Sequence, residues 1–124
     1  MDNLKNKNLI IIIAAAILLI AAYFFYGSSS KNQLTLTLDF GDGNKRTFVN
    51  NNTEEKKAWD ALQEVAAIAS IDLEPDQNFL PRKIDGCENN DQKSWFFYIN
   101  NAKQEISPIE VKVKPPDQLI FKFE

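Results

Sequence analysis

The stretch LTLTLDFGDG, from Leu34 to Gly43, decides the fold of this 124-residue chain. Its leucines alternate with polar side chains as far as Phe40, which is the period-two pattern of a β-strand with one buried face. The Asp-Gly dipeptide that follows favours a hairpin turn, because such residues tolerate positive φ angles. The chain from Lys45 to Val49 is then predicted to return as the second strand of the hairpin.

The pattern becomes helical between Thr53 and about Ser70. Apolar side chains recur there at intervals of three and four residues, and polar side chains fall on the other side. Asn52, with Glu55 three residues later, is predicted to cap the helix N-terminus. We expect one amphipathic helix that covers one face of a sheet with Ala58, Trp59, Leu62, Val65, Ala66 and Ala69.

Further strands are predicted after the helix. A short strand from Phe79 to Asp85 contains Pro81, which favours a sheet edge. The stretches Ser94 to Asn100, Ile109 to Val113 and Leu119 to Phe123 also alternate between two faces. This order of elements predicts an α+β domain in which one helix packs on one face of a mixed sheet.

An uncharged apolar segment, Leu9 to Tyr26, precedes this domain. A helix of this length covers about 27 Å, close to the roughly 30 Å hydrocarbon core of a bilayer, so we expect a transmembrane helix. Lys5 and Lys7 precede the segment, and the positive-inside rule then places the N-terminus in the cytoplasm. A cleaved signal peptide, which would give a secreted protein, is the alternative. The predicted anchor residues include Leu9, Ile13, Leu19 and Tyr26.

These patterns divide the chain into four parts. Residues 1–8 are the expected cytoplasmic N-terminus, and residues 9–26 the transmembrane helix. Residues 27–33 have the Gly/Ser-rich composition of a flexible linker. Residues 34–124 are the expected extracytoplasmic domain. The sequence thus predicts a single-pass protein of the cell membrane, with the lipid membrane as one partner.

Composition excludes several classes of function. The chain contains no histidine and one cysteine, which excludes Cys/His zinc sites, histidine-assisted nucleophiles and an internal disulfide. Its net charge of -3 disfavours nucleic-acid binding, which needs clustered basic residues. We expect a monomer. A dimer linked through Cys87 is the alternative, because an unpaired cysteine outside the cytoplasm is free to form an intermolecular disulfide.

Acidic residues near turns raise two further alternatives. Asp39, Asp42 and Asn44 carry oxygen ligands suited to calcium, but their spacing is not that of an EF-hand loop. The pairs Asp39 with Asp42 and Asp85 with Glu88 are the closest carboxylates for acid–base hydrolysis. Since aspartate is favoured at turns for its backbone hydrogen bonds, we expect neither a metal site nor enzymatic activity.

Four stretches of the domain resemble the transcobalamin C-terminal-like family: LTLTLDFGDG from Leu34, AWDAL from Ala58, WFFYINN from Trp95 and DQLIFKF from Asp117. The resemblance implies a β-grasp fold of a kind common in bacterial surface and secreted proteins. In the vitamin B12 carriers this module closes over a corrinoid held by a separate helical barrel, for which 124 residues leave no room. The resemblance therefore implies a binding or interaction module without a cofactor, and a corrinoid only by analogy.

Phe96 and Tyr98 are the candidate contact residues. If the helix covers the face that bears Trp95 and Phe97, these two aromatics lie on the opposite face, where they suit a flat ligand, a sugar or a protein. The alternative is that the loop of residues 72–92 or cross-strand neighbours cover the pair. A concave site at the two aromatics would favour a binding module for an unknown small molecule or protein. An apolar edge strand would instead favour a structural or adaptor subunit of a cell-envelope assembly.

Overall fold

The computed structural model describes residues 12–15 and 32–124. Residues 32–124 form one unit, a small mixed α/β domain that is mostly sheet. Its helix is α1 (Ala58–Ile68). Its strands are β1 (Leu34–Asp39), β2 (Lys45–Asn50), β3 (Lys56–Lys57), β4 (Leu73–Pro75), β5 (Pro81–Ile84), β6 (Cys87–Glu88), β7 (Trp95–Ile99), β8 (Ala102–Lys103), β9 (Lys112–Val113) and β10 (Gln118–Phe123).

The main sheet has five strands in the order β2-β1-β10-β7-β8. The last strand, β10, lies in the middle, parallel to β1 and antiparallel to β7. Among the described residues, β2 pairs with β1 alone and forms one edge, and the short β8 forms the other. Two smaller sheets accompany it, one made of β3 and β9 and one of β4, β5 and β6.

The core lies between the main sheet and α1. Leu38, Phe121 and Phe97 are neighbours in register across β1, β10 and β7, and each is 0% exposed. The rings of Phe97 and Phe121 stack with centroids 5.6 Å apart. The helix adds Trp59 and Leu62 to the same cluster. Each such side chain stabilises the fold by roughly 1.5–3 kcal/mol through burial, so this row holds the three central strands together.

The helix begins at Ala58, five residues after the predicted start at Thr53. Lys57 is the N-cap residue and makes no side-chain capping bond. The first helical N–H groups instead donate to backbone carbonyls of a distant loop, Ala58 to Val111 at 2.8 Å and Trp59 to Pro108 at 3.1 Å. The predicted cap at Asn52 is therefore wrong, since a tertiary contact satisfies the donors that a capping side chain would otherwise bind.

The prediction of a transmembrane helix is contradicted by the structure. Among residues 12–15 and 32–124, no helix is both long and apolar enough to cross a bilayer. The 11 residues of α1 cover only about 17 Å against a hydrocarbon core of about 30 Å. This contradicts the transmembrane, signal-anchor and single-pass interpretation and the cell-membrane localisation derived from it.

Most of the predicted span lies outside the described residues. Of the expected anchor residues, only Ile13 is described, and it belongs to the helical residues 12–15. The expected anchors Leu9, Leu19 and Tyr26, and the topology residues Lys5 and Lys7, fall outside the described part.

Two hairpins turn through residues with positive φ. Asp85 and Gly86 link β5 to β6 with φ angles of 49° and 83°, and Asn100 and Asn101 link β7 to β8 with 49° and 67°. Paired left-handed residues match the twist of a tight hairpin. Asparagine tolerates this conformation better than most residues, which explains how the second turn forms without glycine.

Position 41 requires glycine because the backbone of Phe123 passes close to it. A Cβ atom there would lie 2.3 Å from the carbonyl oxygen of Phe123, with φ at +76°. Gly43 provides a matched control, because its φ is +92° but no atom lies within 4 Å of the added Cβ.

We expect Gly41→Ala to lower the free energy of unfolding by about 2 kcal/mol or more, and Gly43→Ala by about 1 kcal/mol. Only the first substitution adds a backbone clash to the strained φ. Urea unfolding followed by tryptophan fluorescence measures both values. Equal losses in the two variants would contradict the proposed clash.

Candidate functional site

The sheet face opposite α1 carries side chains that remain half-buried or exposed. Strand register places Thr37 beside Ile120, and Ile120 beside Tyr98. Phe96 lies beside Lys122 in the next row. The side chains of this open face are Thr35, Thr37, Thr47, Val49, Phe96, Tyr98, Lys103, Ile120 and Lys122. The structure thus places both predicted contact residues, Phe96 and Tyr98, on the face away from the helix.

Charged side chains already contact both aromatic residues, Phe96 and Tyr98. The Lys103 ammonium lies 3.7 Å from the ring centroid of Phe96, and the Tyr98 hydroxyl donates a hydrogen bond to the Glu124 carboxylate. Glu124 also lies 3.5 Å from Lys103 and 3.3 Å from Lys122. Both aromatics therefore already have charged partners, and neither of the two grooves described below includes them.

The hydrogen bond between Tyr98 and Glu124 shifts both pKa values. The pKa of the Glu124 carboxyl is lowered, chiefly because its ionised form accepts this bond. Lys122 and Lys103 lower it further. The pKa of Tyr98 is raised chiefly because its neutral hydroxyl is the donor. The bond therefore favours a neutral Tyr98 and an ionised Glu124 around neutral pH.

A groove of about 370 Å³ runs between edge strand β2 and helix α1. Its lining is mainly apolar, and at its rim Ile68 is 79% exposed. One end is polar, where the Glu64 carboxylate accepts hydrogen bonds from Lys56 at 2.5 Å and from Asn50 at 3.4 Å. The groove is lined by Leu34, Leu36, Thr47, Phe48, Val49, Asn50, Asn51, Ala61, Glu64, Val65 and Ile68.

The outer backbone edge of β2 opens onto this groove. The backbone N–H of Thr35 donates a hydrogen bond of 3.2 Å to the backbone carbonyl of Asp117, the residue just before β10. Because alternate residues of a strand direct their backbone groups to the same side, Thr35 and Thr37 both direct theirs towards β10. Val49 and Thr47 are their register partners on β2, and their own N–H and C=O groups therefore point away from β1. The side chains of Thr47 and Val49 lie on the open face, away from α1, yet both residues line the groove. The groove therefore extends to the outer backbone edge of β2.

A second groove, of about 540 Å³, is polar. Arg46 lies there 3.2 Å from the Asp85 carboxylate, and its guanidinium is 5.9 Å from the ring centroid of Phe40. The pKa of the Cys87 thiol is raised, chiefly by burial and then by the nearby Asp42 carboxylate. Both effects disfavour the thiolate, which is the form that reacts to make disulfides. The disulfide-linked dimer through Cys87 stays a prediction.

The carboxylates considered for calcium or catalysis serve other contacts. Asp39 and Asp42 each accept a backbone hydrogen bond at 3.0 Å from the residue two positions later, which holds the β1–β2 turn. Glu88 forms an ion pair with Arg82. Within the described ranges no group of three or more acidic or cysteine side chains is arranged to hold a metal ion.

The groove beside β2 was missed by the sequence analysis. The strand itself was expected from Lys45 to Val49, but no pattern in these residues shows that the strand is at an edge. The single available signal is the apolar Ile68, which continues the helical periodicity on a side that the core does not cover.

Comparison with known proteins gives a likeness of fold. No protein-family model matches the chain, and no curated protein matches it. Among solved structures, it is similar to a "putative metal binding protein" from Ruminococcus gnavus ATCC 29149, with a TM-score of 0.56 and 14% sequence identity. The match covers 75% of this chain and 96% of that chain. At this identity the likeness concerns the fold alone.

The pKa of Glu124 provides a test of the open-face contacts. Because this pKa is lowered in the folded chain, ionised Glu124 stabilises the fold above its ordinary value of 4.5, and the contribution is lost as pH falls through the lowered pKa. We expect Tyr98→Phe to raise the pKa of Glu124 towards 4.5, since it removes the largest cause of the shift. Titration of the carboxyl carbon by NMR measures this. Lys103→Gln should raise the pKa less, because Lys103 is the smallest cause of the shift. An unchanged pKa in Tyr98→Phe would contradict the assignment.

Proposed function

We propose that this domain is a protein-interaction module that binds an extended segment along the β2 edge and performs no chemistry of its own. One observation carries the proposal, namely that the outward backbone groups of Thr47 and Val49 lie beside an apolar groove. Extended segments add to sheet edges through main-chain hydrogen bonds, and their alternate side chains enter neighbouring pockets. Both components of such a site occur together here.

The apolar rim supports the proposal. Single exposed apolar residues are common on protein surfaces, but Ile68 lies beside the half-buried Val65 and Phe48 and beside an outer β2 edge that pairs with no other described strand. A strand added to β2 would satisfy the backbone groups of Thr47 and Val49 and cover these side chains. Burial of each of the side chains Ile68, Val65 and Phe48 contributes up to roughly 1.5–3 kcal/mol to the free energy of binding.

The open face supports ligand capture less well. A flat ligand on Phe96 would have to displace the Lys103 ammonium, and a ligand at Tyr98 would have to compete with Glu124. Small-molecule sites are concave, and neither Phe96 nor Tyr98 lines either of the two grooves. An adaptor role therefore takes precedence over capture of a small molecule.

The resemblance to the transcobalamin C-terminal-like family remains part of this proposal. It is supported by the central position of β10, parallel to β1, and by the helix across one face of the sheet. The proposal includes no cofactor, and the partner is a protein.

The proposal is tested by selecting, from a phage library of short random peptides, those that bind the immobilised full chain. We expect the enriched peptides to alternate apolar and polar residues, as an added strand requires. Ile68→Lys should weaken their binding by about tenfold or more, because it places an ammonium group at the groove. Isothermal titration calorimetry measures the affinities.

Ile106→Lys is the matched control. Ile106 is 53% exposed and does not line the groove, so its substitution should leave peptide affinity within about twofold. If peptides bound Ile68→Lys as tightly as the unsubstituted chain, the groove would be excluded. Loss of binding in Tyr98→Ala alone would transfer the site to the open face.

A further inference from the structure

We infer that the segment bound along β2 is the β2 strand of a second copy of this chain, paired antiparallel with Phe48 facing its own counterpart. This inference rests on the proposed function and names the partner. It draws on three features of the described residues: the geometry of the free edge, the distribution of charge along it and the length of the opposite edge.

The geometry of β2 allows it to pair with itself. A two-fold axis perpendicular to the sheet keeps both helices on the same side and makes the interface self-complementary. With Phe48 on the axis, Thr47 of each copy faces Val49 of the other. These are the residues whose N–H and C=O groups point outward, so the two edges satisfy each other as hydrogen-bonded pairs.

Phe48 then forms the central non-hydrogen-bonded pair. Side chains approach most closely at such pairs, with Cβ atoms about 4.5–5.5 Å apart. Phe48 is half-buried on the helix side of β2 and lines the groove with Val65 and Ile68. The second Phe48 ring would lie against the mouth of this groove, and the same contact would recur by symmetry.

Charge along β2 selects the antiparallel direction. Lys45 and Arg46 begin the strand, while Asn50 ends it with its amide 3.4 Å from the Glu64 carboxylate. Antiparallel pairing brings Arg46 of each copy opposite Asn50 and towards Glu64 of the other. Parallel pairing in register would set the basic residues against each other, and directly opposed like charges destabilise a sheet.

The other edge of the sheet limits the assembly to two copies. Strand β8 contains only two residues, Ala102 and Lys103, and very short, charged edge strands are poor templates for further pairing. The contact between two β2 strands is isologous and closes on itself. The chain is therefore expected to form a dimer with a continuous sheet rather than a filament.

Disulfide cross-linking tests the register, in the full chain with Cys87→Ser to remove the native thiol. Phe48→Cys should form a covalent dimer on mild oxidation, because residue 48 faces itself across a close pair with Cβ separations near the range that disulfides require. Thr47→Cys faces Val49 instead and should cross-link about fivefold less by itself. An equimolar mixture of Thr47→Cys and Val49→Cys chains should cross-link more than either alone. Non-reducing electrophoresis measures the yields.

A charge exchange tests the interface without changing Phe48. Arg46→Glu alone sets a carboxylate towards Glu64 of the other copy, and Glu64→Arg alone sets two guanidinium groups together, so each should weaken dimerisation several-fold. A mixture of the two variants brings opposite charges together at both symmetric contacts and should restore the dimer. Sedimentation equilibrium measures this. Loss of the Arg46–Asp85 ion pair alone would not be restored by mixing.

The outcomes separate this inference from the proposed function. The inference would be overturned if Phe48→Cys and Thr47→Cys cross-linked equally. It would also be overturned if a folded Phe48→Cys chain did not cross-link and mixing the charge variants did not restore the dimer. If library peptides still bound in an Ile68-dependent manner, the edge would serve a different protein and the proposed function would stand. If peptide binding also failed, both would be overturned.

Discussion

The insertion of β10 between β1 and β7 is the constraint on which the rest of this domain depends. Phe121 is held there between Leu38 and Phe97, and all three side chains are fully excluded from water. The row also provides the surface on which α1 packs. Because the last strand occupies the centre, β2 and β8 are left at the edges, and every exposed strand edge of the main sheet follows from this single arrangement.

The two surfaces of the main sheet differ in how their polar groups are satisfied. On the open face, Glu124 balances Lys103 and Lys122 and accepts the Tyr98 hydroxyl, so the aromatics already have partners. Along β2, backbone groups point outward beside apolar side chains from Phe48 to Ile68. Association gains more from an edge with unpaired backbone and uncovered apolar surface than from a face whose charges are already paired.

Periodicity was sufficient to locate the strand from Leu34 and to divide Trp95 and Phe97 from Phe96 and Tyr98, because alternation along a strand is a local property. It was not sufficient to locate the start of α1, since Val111 and Pro108 satisfy the first helical N–H groups across the fold. Length and hydropathy predicted a transmembrane helix, and the described residues contain no helix suited to that role. The contact role of Phe96 and Tyr98 stays a prediction.

The sequence by itself determined which residues alternate, that a turn with positive φ follows the first strand, and that histidine-dependent and disulfide chemistry within one chain is absent. These follow from local backbone preferences and from composition. Only the tertiary structure decided which strand lies at the edge, which partners cover each aromatic, and that a groove separates β2 from α1. Those features arise from pairings between residues far apart in the chain, which periodicity along the chain does not encode.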